Sequence, residues 1–335
     1  MNELITLNQG SGGKLTNMLI REMFATRFGM SEPLTDSSVC KIPEGSLAFT
    51  TDSYVVNPLF FPGGDIGKLA VCGTVNDLAV SGSVPLYLSA SFIIEEGLPV
   101  EDLKKIAGSM AKEAENAGVR IVTGDTKVVE KGKCDKLFIT TSGIGKIRQG
   151  LEYISNGSSI KFGDKLIING PVGNHALAVL GARKNLGFSL PLISDCTSLN
   201  HLIAGAMEYS RGIHFMRDLT RGGLAAVLNE LAGMINMGIS VNESAIPVDD
   251  PVRGLCEVLG FDPLYLANEG KLLIVTGSSE AVDVLKALRS NPLGKNSEII
   301  GEVVPDSRNL VILNTLVGGK RILDMPSGDQ LPRIC

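Results

Sequence analysis

Four aspartates sit where strands end or where small residues allow close approach: Asp52 in FTTDSY, Asp77 in GTVNDLA, Asp125 in VTGDTK and Asp218 in MRDLTRGG. Carboxylates in such settings suit hard divalent cations such as Mg2+, which take oxygen ligands and commonly bridge a few carboxylates to nucleotide phosphates. Each aspartate alone also fits a helix cap or a turn, so the set of four points to phosphate chemistry more than any member does. Asp77 is the oddest of them. With Asn76 it interrupts an otherwise apolar helical stretch, where burial is costly without a partner.

Two further stretches bear on phosphate. GSGGK at residues 10–14, with Gly12 and Gly13, resembles a phosphate loop but lacks the full G-x-x-x-x-G-K-[ST] spacing and a preceding strand. Lys68 in GGDIGKLA fits a phosphate contact and a solvated helix lysine equally well. The three histidines make no triad with a serine. His175 and His214 read as local hydrogen-bonding residues and His201 as a helix-surface residue.

The six cysteines fall singly at 40, 72, 134, 196, 256 and 335, with no C-x-x-C pair and no histidine at finger spacing. Five read as small buried or semi-buried residues. Cys335 differs, because it ends a strip, LDMPSGDQLPRIC, that holds Pro326, Ser327, Gly328, Asp329, Gln330 and Pro332 among few apolar residues. Prolines and small polar residues at a terminus read as a mobile, exposed tail.

The elements that must position these groups alternate between strand and helix. SLAFTTD, LYLSASFII, VRIVTGD and KLFITTSGIG read as strands, and Leu103, Ile106, Met110 and Ala114 fall at helical spacing before a stop at Gly118. A polar stretch, YISNGSSIKFGD, marks a boundary near residue 155. Beyond it, KLIING, KLLIVTG, EIIGEV and LVIL read as strands, while NHALAVLGA and SEAVDVLKALRS read as helices. In RGGLAAVLNELAGMINMG, Leu224, Val227, Leu228, Leu231 and Ile235 make one apolar face. The expected organisation is a glycine-rich segment and helix at 1–40, α/β domains at 41–155 and 156–323, and a flexible tail at 324–335.

Bulk properties narrow the function classes. At 335 residues, two domains are the natural prior, and 44% hydrophobic with 20% charged residues is ordinary for a globular protein. A net charge of −5 with no basic run leaves no electrostatic footprint for nucleic acid or a membrane surface. No membrane-length apolar run and no signal-peptide pattern occur, so a cytoplasmic location is expected.

Taken together, TTDSYVVNPLFFPGGDIGKLAVCGTVNDLAVSG, GDTKVV, RDLTRGGLA, DPLYLANEGKL and LPRIC resemble the HypE family of hydrogenase maturation proteins. That family belongs to the PurM-like ATP-utilising superfamily, with selenophosphate synthetase, thiamine-monophosphate kinase and aminoimidazole ribonucleotide synthetase. The likeness runs along nearly the whole chain. It implies an N-terminal α/β domain whose sheet pairs with a second copy's across a homodimer, a C-terminal α/β domain, and an ATP site in the cleft between them. Asp52, Asp77, Asp125 and Asp218 would then serve a magnesium–phosphate cluster, with Lys68 and Asn76 nearby. The glycines of GSGGK would approach the nucleotide or the arriving tail.

The resemblance also implies a reaction. A partner, HypF, places a carbamoyl group on the Cys335 sulfur; dehydration leaves a protein thiocyanate, and a HypC–HypD complex accepts the cyanide for a nickel–iron hydrogenase. The physical demands stand independently of the family. An amide oxygen leaves poorly, and phosphorylation from ATP turns it into a far better leaving group by positioning and charge neutralisation. The nitrogen must lose two protons in a site closed to water. Glu269 in LANEGK is the expected base, and Lys127 in GDTKVV would polarise the oxygen or steer a phosphate; alone, each also fits a local salt bridge or a surface position. Two rival readings are a PurM-like enzyme for a free metabolite, which has no need of a terminal thiol, and a non-catalytic scaffold, which leaves the aspartates unexplained.

Overall fold

Period-two burial sets the first sheet. In the computed structural model, which describes residues 13–19, 38–42, 45–183, 192–209, 212–306, 308–328, 331 and 333–335, a helix α1 (Lys14–Leu19) precedes β1 (Ser38–Ile42) and β2 (Gly45–Tyr54). In β2, Ser46, Ala48, Thr50 and Tyr54 are buried while Phe49, Thr51 and Ser53 are exposed, so Asp52 shares the inner face with Thr50 and Tyr54. A small hairpin, β3 (Phe60–Phe61) and β4 (Gly64–Asp65), leads into α2 (Ile66–Val80). Asp65 caps that helix, its carboxylate accepting from Gly67 N and Lys68 N. Helix α2 is buried on nearly every side, as expected of a helix that is apolar all round.

The chain continues through β5 (Ser83–Glu95), α3 (Val100–Ala117), β6 (Arg120–Val129) and β7 (Leu137–Ile147). The five strands lie in the order β1-β2-β7-β5-β6, antiparallel except for the β5–β6 pair. Helix α3 buries Ile106, Met110 and Ala114, with Leu103 partly covered, and stops at Gly118 in the left-handed region (φ +71°). The apolar segment 86–94 is interior: β5 is paired on both sides, and β6 is the edge beside it.

The second sheet draws on β8 (Lys165–Ile168), β9 (Ile213–Asp218), β10 (Gly238–Asn242), β11 (Leu272–Thr276), β12 (Glu298–Val304), β13 (Val311–Asn314) and β14 (Lys320–Ile322), in the order β14-β13-β10-β12-β8-β11-β9. Its connecting helices are α4 (Asn174–Gly181), α5 (Asn200–Tyr209), α6 (Gly223–Ile235), α7 (Asp250–Leu259) and α8 (Ala281–Arg289). Leu224, Val227, Leu228 and Leu231 of α6 pack on one face of this sheet with Leu273 and Val275, while Leu202, Ile203, Val284 and Leu288 cover the other with Ile167 and Ile274. Both halves are therefore mixed α/β layers, and α2 lies between them, its Ala79 and Val80 packing with the second half.

The tail does not project into solvent. After β14, Leu323 is buried, Tyr265 Oη donates to Asp324 O at 2.9 Å, and Lys14 N donates to Pro326 O at 2.9 Å. Gly13 is needed there, since a Cβ on it would stand 2.1 Å from the Pro326 carbonyl oxygen. Leu331 and Ile334 are then buried in the same apolar cluster as Val56, Phe61, Leu177 and Val252. The expectation of an exposed strip is corrected for this reason: the two apolar residues of LPRIC, three apart, outweigh the polar composition of the segment leading to them.

Candidate active site

A cavity of about 230 Å3 opens where β2 and α2 face the loop after β9, and Asp52, Asp77, Asp218, Glu269, Arg221 and Cys335 all line it. Each carboxylate comes from a different local device. Asp52 is at an inward position of β2, and Tyr54 Oη donates to its Oδ2 at 3.2 Å. Asp77 stands on α2 and accepts at Oδ2 from Thr50 Oγ1 at 2.8 Å. Gly73 clears the space between strand and helix, because a Cβ there would lie 2.3 Å from Tyr54 Oη. Burial, and then the neighbouring Asp52 charge, push the Tyr54 phenol well above its usual pKa, so it stays a proton donor.

Opposite, Asp218 ends β9 and the turn through Gly222 and Gly223 (φ +79° and +61°) starts α6. That turn carries Arg221, which is open to the cavity yet closely surrounded by protein. Arg217 Nη2 pairs with Glu230 Oε2 at 3.0 Å, and Asn17 Nδ2 donates to Glu230 Oε1 at 3.2 Å. Glu269 is held by its backbone: its N–H donates to Asp195 Oδ1 at 3.1 Å, and its carbonyl accepts from Thr197 N at 3.3 Å. Asp195 is fixed in turn by Lys271 Nζ at 3.3 Å.

The Glu269 side chain is the electrostatic focus. It is 3% exposed, and its Oε1 is buried with no hydrogen-bond partner. Burial first, then the charges of Asp218, Asp195 and Asp52, hold its carboxyl well above the usual glutamate range, with Arg221 acting in the opposite sense. A carboxyl so placed is proton-bearing or proton-hungry near neutral pH, as a general acid–base group needs to be. Arg221 itself is driven further toward its cation by Cys335 above all.

Residues 34–147 match the family model described as AIR synthase related protein, N-terminal domain, and residues 161–314 match the corresponding C-terminal domain. The chain is 50% identical over 339 residues to carbamoyl dehydratase HypE of Rhodobacter capsulatus, spanning 100% of this chain and 99% of that protein. The chain belongs to the HypE family. A solved HypE–HypF complex superposes with a TM-score of 0.86 at 49% identity, covering 92% of this chain and 99% of that one. A HypE structure in complex with ATP superposes at 0.83 and 44% identity, covering 99% and 100%.

Against the HypE-type expectations, the structure brings Asp52, Asp77, Asp218, Glu269 and Cys335 to one cavity. It does not bring Asp125 or Lys127 there. Both are exposed on edge strand β6, where Lys127 Nζ lies 3.6 Å from Asp125 Oδ2. Lys68 is also outside the cavity lining, at the N-terminal end of α2, with Nζ donating to Gly63 O at 3.1 Å. Asn76 is fully engaged with backbone: it accepts from Leu199 N at 2.7 Å and donates to Thr197 O at 3.1 Å and Glu269 O at 3.5 Å. It therefore ties α2 to the loop carrying the base. Gly13 meets the root of the tail, and Gly12 lies outside the described residues.

Sequence reasoning missed Arg221, Asp195 and Tyr54. Arg221 had a signal, since it sits three residues after Asp218 and next to a Gly-Gly turn. His175 and His214 are not local bonders: Nε2 of His175 reaches Ile334 O, and Nδ1 of His214 lies 2.6 Å from Asp164 Oδ2. Cys72, Cys196 and Cys256 are buried as expected, and burial pushes the Cys256 thiol up to about 11.

Proposed function

We propose that this chain uses ATP to dehydrate an S-carbamoyl group carried on its own Cys335 to a thiocyanate, in hydrogenase maturation. The observation that supports this most directly is the position of Cys335: the tail sulfur's residue shares a cavity with an orphaned buried glutamate and three aspartates. A relative is known as carbamoyl dehydratase, one solved relative holds ATP and another is complexed with HypF.

The donor set fits a magnesium nucleotide. Among the described residues no three His, Cys, Asp or Glu side chains converge as a ready metal cage. Mg2+ needs none, since it typically uses one or two carboxylates with substrate phosphates and water. One or two of Asp52, Asp77 and Asp218 would hold the cation, with substrate phosphates and water completing its shell, and a positive charge there would offset the crowding that raises Glu269. Bound ATP would supply the phosphoryl group that makes the carbamoyl oxygen a good leaving group. Arg221 neutralises negative charge next to Cys335. Glu269 takes a proton from the carbamoyl nitrogen, and its Oε1, unpartnered, is the atom free to do so. Burial of Leu331 and Ile334 closes the tail side of the site to water.

HypF as carbamoyl donor, a HypC–HypD complex as cyanide acceptor and a cytoplasmic setting complete the reading; no helix among the described residues is long and apolar enough to cross a membrane. A homodimer through the first sheet is supported by exposed Phe49, Val84, Tyr87 and Ile93 on its strands, and by Val122 and Val128 on edge strand β6. Asp125 and Lys127 would enter a site only in such an assembly.

Intact-protein and peptide mass spectrometry tests the function. Given HypF, carbamoyl phosphate and ATP, the peptide ending at Cys335 is expected to gain one carbamoyl group and then lose one water. Cys335→Ala is expected to bind Mg-ATP and gain nothing. An adduct on any other cysteine would sink the proposal.

A further inference from the structure

The end of the chain is gripped by groups that the chemistry above does not use. Asn57 N and Arg183 Nη2 both donate to Arg333 O, at 3.2 and 3.0 Å, and Asp135 pairs with the Arg333 guanidinium. Arg333 itself is in the left-handed region (φ +57°), an uncommon conformation for a side-chain-bearing residue that must be held by its surroundings. One residue on, His175 Nε2 lies 2.9 Å from Ile334 O.

The hydrogen-bond roles at His175 follow from its partners. A carbonyl only accepts, so Nε2 carries the proton. Nδ1 is then bare and accepts from Ser194 Oγ at 2.7 Å, while Ser194 Oγ accepts from Cys196 N at 3.0 Å. The ring is fully buried and meets Phe61 edge-on, with centroids 5.4 Å apart. Both ring nitrogens are satisfied, and the partner of one of them belongs to the tail.

We propose that His175 is a positioning residue for the reaction: its Nε2–H fixes the Ile334 carbonyl and so sets how far Cys335 reaches toward Glu269. The loop behind it makes the placement precise in two directions. Ser194 orients the ring that holds the tail, and the next residue, Asp195, holds the Glu269 backbone N–H. Substrate carrier and base thus hang from adjacent residues of one loop. A histidine serving only the core would have no reason to direct its proton at the penultimate residue of a tail that must leave and return.

The inference draws its catalytic meaning from the proposed dehydration, but its first test needs neither nucleotide nor partner. The full-length chain is treated with iodoacetamide, and alkylation of the Cys335 peptide is followed by mass spectrometry, with Cys134 as internal reference. Loss of one net hydrogen bond in His175→Ala is expected to speed Cys335 alkylation about fivefold. His175→Gln, which keeps an N–H donor, is expected to return most of the way to the wild-type rate. In single-turnover dehydration of pre-carbamoylated protein, His175→Ala is expected to slow the step with ATP affinity unchanged, and Gln to restore it. Equal Cys335 alkylation in folded His175→Ala and wild type overturns the proposal, whatever the dehydration assay gives. Should the Ala variant not fold, imidazole NMR of a Cys134→Ser chain decides. The His175 Nε2–H is expected to be protected from exchange, and to lose that protection when a bulky maleimide on Cys335 keeps the tail out. Unchanged protection would overturn the proposal equally.

Discussion

The two walls of the cavity handle their carboxylates in opposite ways. On the first-sheet wall, hydroxyls are supplied: Thr50 donates to Asp77 and Tyr54 donates to Asp52. On the second-sheet wall, Glu269 is buried with an unpartnered oxygen, and its neighbours Asp218 and Asp195 add to its difficulty. Hydroxyl donors fix the orientation of the first wall's carboxylates, as cation ligands need. A desolvated, partnerless one keeps an unsettled proton, as a base should. The proton-moving group thus stands on the second-sheet wall, while Asp52 and Asp77 on the first wall are joined by Asp218 from the second in holding charge.

The largest effect is expected on the holding wall. Asp77→Asn should lower ATP turnover by about 10²-fold or more, since a charge aimed at the phosphate site is removed, while circular dichroism stays unchanged. Phosphate release from pre-carbamoylated protein measures it, and undiminished release would remove Asp77 from the holding role.

Glu269→Gln comes next. The carbamoyl group should arrive but its dehydration should fall by about 10²-fold, the low end of the range for a lost acid–base group. The same change should stabilise the protein in EDTA without nucleotide. The folded pKa of Glu269 is raised, so the wild type is fully stable in this respect below the ordinary glutamate pKa and loses that stability as pH climbs through the raised value. The melting temperature of Glu269→Gln should therefore match wild type near pH 4 and exceed it by a few degrees at pH 8. A pH-independent difference would mean that Glu269 is not strained by charge.

The smallest effect sharpens the contrast. Thr50→Val removes the donor to Asp77 without changing its charge, and should weaken ATP binding by about fivefold, the equivalent of one net hydrogen bond. Isothermal titration reads it. A loss as large as that of Asp77→Asn would show that the hydroxyl, not the carboxylate, governs the wall.

Asp77 was legible in the sequence because its position defies periodicity: a carboxylate within an apolar helix must answer to something. Strand order was not. Alternation tells which face a residue takes, but β5 and β6 read alike, and only pairing made one interior and the other an edge. That is why Asp125, read as a ligand, lies on an exposed margin. His175 was illegible for another reason, since its partner is 159 residues away and no spacing rule joins them. The tail misled through composition, because eight polar or turn-forming residues hid the leverage of Leu331 and Ile334.

Those two buried side chains give the tail a temperature coefficient. Withdrawing it from the cleft is a miniature unfolding that wets leucine and isoleucine surface, and apolar contact weakens on cooling. The fraction of chains presenting Cys335 outward should accordingly rise as the sample is chilled. Withdrawal of Cys335 and its enclosure in the cavity are therefore expected to have opposite thermal preferences.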